Sequence, residues 1–235
     1  LLYSNELEKE FNDYLLTGGF PEMIGKKDVK LIREYVKNSI VEKIVFSDMP
    51  RLYPIEEPAK VAAILDVLVD NPGMMVELTS LSQKLGVSRQ TLSKYLEYLE
   101  QAHLIVKTYN YSKNRLTSEK TLKKAFPTFL TPALYDSLDS TIIGKIVEAK
   151  IVLATNAKFF WRDAYKNEVD VILQGKQVQP IEVKYRNDPR ETSSVTKFCK
   201  KYACANPLVI TKNTREKIGG ITLIPAHEYL LNNPN

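Results

Sequence analysis

Four side chains are of the types and spacing that could do chemistry together: Asp170, Glu182, Lys184 and Glu148. Asp170 lies in the run Glu168-Val-Asp-Val-Ile-Leu173. Twelve residues after it, Glu182-Val-Lys184 closes the run Gln179-Pro-Ile-Glu-Val-Lys184. Both runs are rich in β-formers and flank a Gln174-Gly175-Lys176 turn, so they read as neighbouring strands. Side chains alternate along a strand, which puts Glu182 and Lys184 on one face. A hairpin brings Asp170 beside them, and Glu148, on the preceding helical stretch, can supply another carboxylate. Paired carboxylates hold a hard cation such as Mg2+ through oxygen. Such a cation polarises a phosphodiester and lowers the pKa of its bound water. A lysine alongside can orient that water and offset charge in the transition state. The expected roles are Asp170 and Glu182 as metal ligands, Glu148 as an auxiliary ligand and Lys184 as the catalytic lysine. The same residues would also serve as an outward-facing ion-pair cluster, with Val169, Val171, Ile181 and Val183 forming the buried face.

The elements that must position these groups come in a definite order. Ile142 to Thr155 reads as a helix carrying Glu148. Phe159-Phe-Trp-Arg162 reads as a strand, followed by the two strands above. Thr192 to Ala203 reads as a helix, and Pro207 to Thr211 and Ile221 to Ile224 as strands. Strand pairs separated by a long helix point to a mixed α/β sheet. Trp161-Arg162 and Lys166 lie close enough in sequence to contact phosphates, or to be ordinary rim residues.

The earlier part of the chain is helical. Leu7 to Leu16 is a short helix stopped by Thr17-Gly-Gly-Phe-Pro21. Val29 to Phe46 is a longer one with a stripe of Leu31, Ile32, Tyr35, Val36, Ile40, Ile44 and Val45. Pro50, Pro54 and Pro58 punctuate a linker. After a helix over Ala59 to Val69, residues 78–101 have the helix, short glycine turn, helix layout of a DNA-reading motif. Ser88 is placed to cap its second helix. Leu78, Leu81, Leu85, Val87, Leu92, Leu96 and Leu99 would form the core. Arg89, Gln90, Ser93, Lys94 and Glu97 would lie on the exposed face, within reach of base edges and phosphates. Two strands, Ile105 to Tyr111 and Lys123 to Leu130, with a polar loop between them, would add a wing with Lys107, Lys113 and Arg115. A winged helix used only for protein contacts fits the same pattern.

Composition bounds these readings. The 235 residues carry 33 Lys and Arg against 28 Asp and Glu, a net charge of +5, with 44% apolar residues. That suffices for packed cores and does not describe a disordered chain. The charge is uneven: residues 1–58 hold 8 basic and 11 acidic side chains, residues 141–235 hold 15 and 9. A polyanionic partner is therefore expected to meet the C-terminal part. No apolar run reaches the ~18 residues of a membrane span, and Leu1 to Glu10 is unlike a secretion signal. Two cysteines and two histidines, His103 and His227, give no metal-like spacing. Cys199 and Cys204 lie five apart in a helical-looking segment and read as unbridged filler. The lysine bias and few cysteines fit a cytoplasmic protein.

The Asp…Glu-x-Lys pattern with a preceding Glu resembles the PD-(D/E)xK, or restriction-endonuclease-like, signature. The whole chain resembles the domain of unknown function that follows the AAA-type ATPase module in many archaeal and bacterial predicted ATPases. The resemblance rests on Tyr14-Leu-Leu-Thr-Gly-Gly-Phe-Pro-Glu22, Asp48, Leu85-Gly-Val-Ser-Arg-Gln-Thr-Leu-Ser-Lys-Tyr-Leu96, Glu148, Phe160-Trp-Arg162, Glu168-Val-Asp170, Ile181-Glu-Val-Lys184 and Ile224-Pro-Ala226. It departs where Lys124-Ala-Phe-Pro127 and Thr131-Pro-Ala-Leu134 lack the family's aspartate and glycine. It implies an N-terminal ATPase module as partner, with ATP bound there. The nearest phosphate-loop match here, Gly19 to Gly25-Lys-Lys27, has five intervening residues and no hydroxyl. That gap, with a start at Leu1, leads one to expect the C-terminal part of a longer protein.

The expected fold class is α+β: an N-terminal helical segment (1–58, facing the ATPase), a winged helix (59–135) and a restriction-endonuclease-like α/β domain with a mixed sheet (136–235). The expected function is a DNA-associated region with an Mg2+-dependent phosphodiesterase site. The other reading is a non-catalytic DNA- or protein-interaction module with a vestigial nuclease fold.

Overall fold

Glycines, prolines and side-chain caps set the element ends in the first half of the chain. The structure, a computed structural model, describes residues 4–112, 123–187 and 189–233. The fold is α+β, helices preceding a mixed sheet. It divides into two compact units. One takes in Asn12–Lys107 and Lys123–Ser137. The other takes in Leu138–Asn235 with the described parts of 1–11 and 108–122.

Helix α1 (Ser4–Thr17), whose residues from Asn12 onward belong to the first unit, ends at two glycines with φ of +68° and +81°. A Cβ on Gly19 would sit 2.9 Å from Tyr14 Cε2, so this turn demands glycine. Helix α2 (Val29–Glu34) starts on Asp28, whose carboxylate accepts the N–H groups of Lys30 and Leu31. The expected single α-helix to Phe46 is not what forms. After Glu34 the backbone widens into π turns over Tyr35–Glu42 and Ile44–Asp48, then closes as α3 (Met49–Leu52). The core explains the change. Val36 and Val45 are both fully buried, and nine residues make about two and a half α turns, which would put them on opposite faces. The wider i→i+5 turn returns both to the core. Leu31, expected in the stripe, is 42% exposed.

Helix α4 (Pro58–Asp70) stops at Asn71-Pro-Gly73. Strand β1 (Met74–Met75) pairs antiparallel with β3 (Lys123–Pro127), Met74 opposite Ala125. Between them, α5 (Leu78–Leu85) ends at Gly86 in the left-handed region and α6 (Arg89–Gln101) starts on Ser88, whose Oγ accepts the Thr91 N–H at 3.0 Å. Ile64, Leu65, Leu68, Leu81, Leu92, Leu96 and Leu99 share one core. Each fully buried aliphatic side chain contributes roughly 1.5–3 kcal/mol.

Strand β2 (Ile105–Asn110) begins in this unit and ends in the other. There the strand order is β2-β4-β5-β6-β7-β9-β8, with β4 (Phe159–Arg162), β5 (Glu168–Leu173), β6 (Gln179–Lys184), β7 (Leu208–Thr211), β8 (Glu216–Ile218) and β9 (Ile221–Pro225). The β4–β5, β5–β6 and β8–β9 pairs are antiparallel; β2–β4, β6–β7 and β7–β9 are parallel. Asn110 extends the β2–β4 ladder with its side chain, donating to Arg162 O and accepting from Arg162 N at 2.9 and 2.8 Å. Helix α7 (Ser140–Ala154) is capped by Asp139, which accepts the Ile142 N–H at 2.8 Å. Helix α8 (Ser193–Tyr202) sets Val195 and Phe198 against Trp161, Val169, Ile172, Val209 and Leu223. Helix α9 (Ala226–Asn232) ends the described chain.

The cysteine expectation is overturned: Cys199 and Cys204 form a disulfide. A helix continued through both would separate them by about 7.5 Å along its axis. Instead α8 ends at Tyr202 and Ala203 takes φ +50°, turning the chain back. The two Cα atoms come to 4.9 Å, within bridging range.

Candidate functional site

The adjacent strands β5 and β6 carry the site. Their pairing runs from Leu173 opposite Gln179 to Val171 opposite Ile181 and stops there. Continued, it would set Asp170 opposite Glu182 and Glu168 opposite Lys184. At that point Asp170 Oδ2 instead accepts the Val183 N–H at 2.8 Å. The carboxylate replaces a backbone acceptor, and the strands open into a recess of about 430 Å³. Glu148, Asp170, Glu182 and Lys184 all line it, as do Lys145, Glu168, Arg186 and Glu191. Helix α7 packs on β5 and β6 and brings in Lys145 and Glu148.

The electrostatics are tightly coupled. Glu182 is buried, and burial pushes its pKa up to about 7, with the Asp170 charge adding to the rise and Lys184 opposing it. Lys184 Nζ lies 3.2 Å from Glu182 Oε1 and 3.3 Å from Glu191 Oε2. Among the described residues, the buried Glu182 Oε2 has no hydrogen-bond partner. A buried carboxylate oxygen left this way is costly unless a proton or cation meets it. The donor set of Asp170 and Glu182 suits Mg2+, which takes one or two protein carboxylates and keeps several waters. Among the described residues no group of three or more His, Cys, Asp or Glu is arranged to hold a metal ion. Glu148 lines the same recess from helix α7.

Several expected contacts go elsewhere. Trp161 is 3% exposed and belongs to the core, because β4 alternation turns it toward Phe198. Arg162 is engaged with Glu168 at 2.9 Å. In the first unit, Arg89, Gln90, Ser93, Lys94 and Glu97 are all exposed along α6, while Leu92, Leu96 and Leu99 of the same helix are buried. Lys107, expected in the wing, is held 2.6 Å from Glu100 and is nearly buried. Lys113 and Arg115 lie outside the described residues. Sequence reasoning missed Glu191 and Arg186, 3.5 Å apart at the mouth of the recess. Their signal was spacing: Arg186 follows Lys184 by two, and Glu191 lies in the segment leading back to α8. Among the described residues no helix is long and apolar enough to cross a membrane.

Two families match the chain, each described as a domain of unknown function: DUF8612 over residues 8–131 and DUF4143 over residues 137–229. Similar proteins include two uncharacterized proteins of Methanocaldococcus jannaschii. MJ1544 is 24% identical over 88% of this chain and 50% of its own length. MJ1637 is 22% identical over 98% of this chain and 51% of its own. An uncharacterized protein of Haemophilus influenzae is 27% identical over 46% of this chain and 28% of its own length. The chain thus spans about half the length of the two archaeal relatives. No solved structure matches it.

Proposed function

Because the chain belongs to the family described as Domain of unknown function (DUF8612), whose match covers residues 8–131, and carries the recess described above, we propose that it is the accessory region of an AAA-type ATPase. In this reading residues 59–135 are a winged helix. Residues 136–235 are a PD-(D/E)xK-like domain with an Mg2+-dependent phosphodiesterase site. The observation that carries the proposal is the buried Glu182 Oε2, without a hydrogen-bond partner among the described residues, in a recess shared with Asp170, Lys184 and Glu148. Asp170 and Glu182 hold the cation, Glu148 completes its surroundings, and Lys184 faces the scissile phosphate. When bound, Mg2+ supplies a Lewis acid and a more acidic water. Lys184 adds a fixed positive charge as the phosphorane forms. Arg89, Gln90, Ser93 and Lys94 on α6, with Lys113 and Arg115, approach DNA, and the ATPase module lies in the part of the protein that this chain does not span.

A plasmid-nicking assay with Mg2+ tests the chemistry. Nicking by the wild type that is lost in Lys184→Ala supports it; nicking that survives the substitution points to another source and rejects it. The second reading, a binding module with a vestigial site, draws on the pairing of Lys184 with Glu182 and Glu191. It gains if the wild type never nicks.

A further inference from the structure

The turn joining β4 to β5 presents a side chain that the fold does not use. Tyr165 is 88% exposed, yet the turn beneath it is tightly built. The Asp163 carboxylate accepts the N–H groups of Tyr165 and Asn167 and the Asn167 amide, at 2.8–2.9 Å. Two backbone bonds, Asp163 N to Asn167 O and Lys166 N to Asp163 O, close it further, with Lys166 at φ +65°. A tyrosine held rigidly in water contributes little to folding.

Its surroundings are cationic. Val195 and Phe198 take the inner side of α8, which leaves Lys197 and Lys201, four apart, on the outer side. Lys197 Nζ donates to Asn167 Oδ1 at 2.7 Å. Lys201 Nζ sits 6.0 Å from the Trp161 ring and 5.2 Å from the Tyr202 ring. Tyr165, Asn167, Lys197 and Lys201 line a recess of about 620 Å³. Among the described residues, Asp163 is the acid lining it, and its oxygens accept hydrogen bonds within the turn. Lys166 adds a further exposed cation.

We propose that Tyr165 with Lys197 and Lys201 forms a subsite for single-stranded nucleic acid, the ring stacking on one unpaired base and the lysines meeting the adjacent phosphates. Aromatic platforms flanked by cations bind single strands in this manner. A duplex offers no free base face to the ring. The turn lies at the end of the sheet where β5 begins and β6 ends, and Asn167 precedes Asp170 by three residues, about 10 Å of strand. A strand seated on Tyr165 can therefore continue around that end toward the carboxylates. This subsite rests on the phosphodiesterase reading for its purpose, but not for its measurement.

Fluorescence anisotropy of a labelled 12-mer oligodeoxynucleotide in EDTA tests it on the full chain, with melting curves to check folding. The single strand should bind more tightly than the same sequence as a duplex. Tyr165→Ala should weaken it about ten-fold, Tyr165→Phe by less than two-fold, and Lys197→Gln should lower the salt slope by about 0.7. Equal or tighter duplex binding, or an unchanged affinity in Tyr165→Ala, overturns the subsite, as does an equal preference for an acidic phosphopeptide. A nicking assay that fails while these values hold would reject the phosphodiesterase reading alone.

Discussion

Asp170 holds the Val183 N–H at 2.8 Å from across the β5–β6 pair. One carboxylate is thereby fixed to the residue that separates Glu182 from Lys184, so strand geometry ties Asp170, Glu182 and Lys184 together. Removing the acceptor should cost more than removing the charge. Asp170→Ala leaves the amide without this partner and is expected to lower stability by about 1–3 kcal/mol. Asp170→Asn keeps an acceptor and should lose less than about 1 kcal/mol. Urea denaturation of the two variants separates the effects; equal losses would show that the hydrogen bond is idle.

The raised pKa of Glu182 makes stability depend on pH. The folded state holds this proton up to about pH 7, whereas an unfolded glutamate releases it near 4.5. The native state therefore gains from Glu182 below pH 4.5 and loses that gain as pH climbs to about 7. Relative to Glu182→Gln, the wild type should fall by up to about 3 kcal/mol across that window. Mg2+ favours the carboxylate and should flatten the fall. Parallel profiles for the two proteins would contradict the burial argument.

Much of this site was legible in the chain, and for a physical reason. Strands β5 and β6 are short alternating runs bounded by turn residues, so Glu168–Leu173 and Gln179–Lys184 could be read to the residue. What stayed hidden depends on partners distant in sequence or on backbone departures. The pattern of Lys107 says wing, but Glu100 takes its charge. Local sequence allows Trp161 to be a phosphate contact or a rim residue, because nothing local announces Phe198. The π turns escaped because the apolar residues of 29–46 also fit an α stripe, and only burial of Val36 and Val45 together decides between them. The roles of Ser88 and Asp28 as caps are written in local sequence, each a short polar side chain just before its helix.

Ser88→Ala tests whether that cap holds α6 in place. It removes the acceptor for the Thr91 N–H and should cost about 1 kcal/mol in chemical denaturation. Ser88→Asp should restore most of it, since aspartate caps equally well and favours the positive end of the helix. A null effect would mean that packing of Leu92, Leu96 and Leu99 alone sets the helix start.

The Cys199–Cys204 bridge clamps the end of α8, where Phe198 and Tyr202 pack on Trp161. In a chain-entropy view a loop this short is worth about 2 kcal/mol. Reduction, or the Cys199→Ser and Cys204→Ser pair, should lower the melting temperature by several degrees. Thiol alkylation followed by mass analysis should find both cysteines blocked until reductant is added. Two freely alkylated thiols in the untreated protein would contradict the bridge.

The central claim is that the recess around Asp170 and Glu182 binds a divalent cation. Isothermal titration of Mg2+ or Mn2+ into the wild type and into Asp170→Asn tests it most directly. The account predicts saturable heat in the wild type that Asp170→Asn abolishes or greatly weakens. No heat in either protein, or the same heat in both, would contradict it.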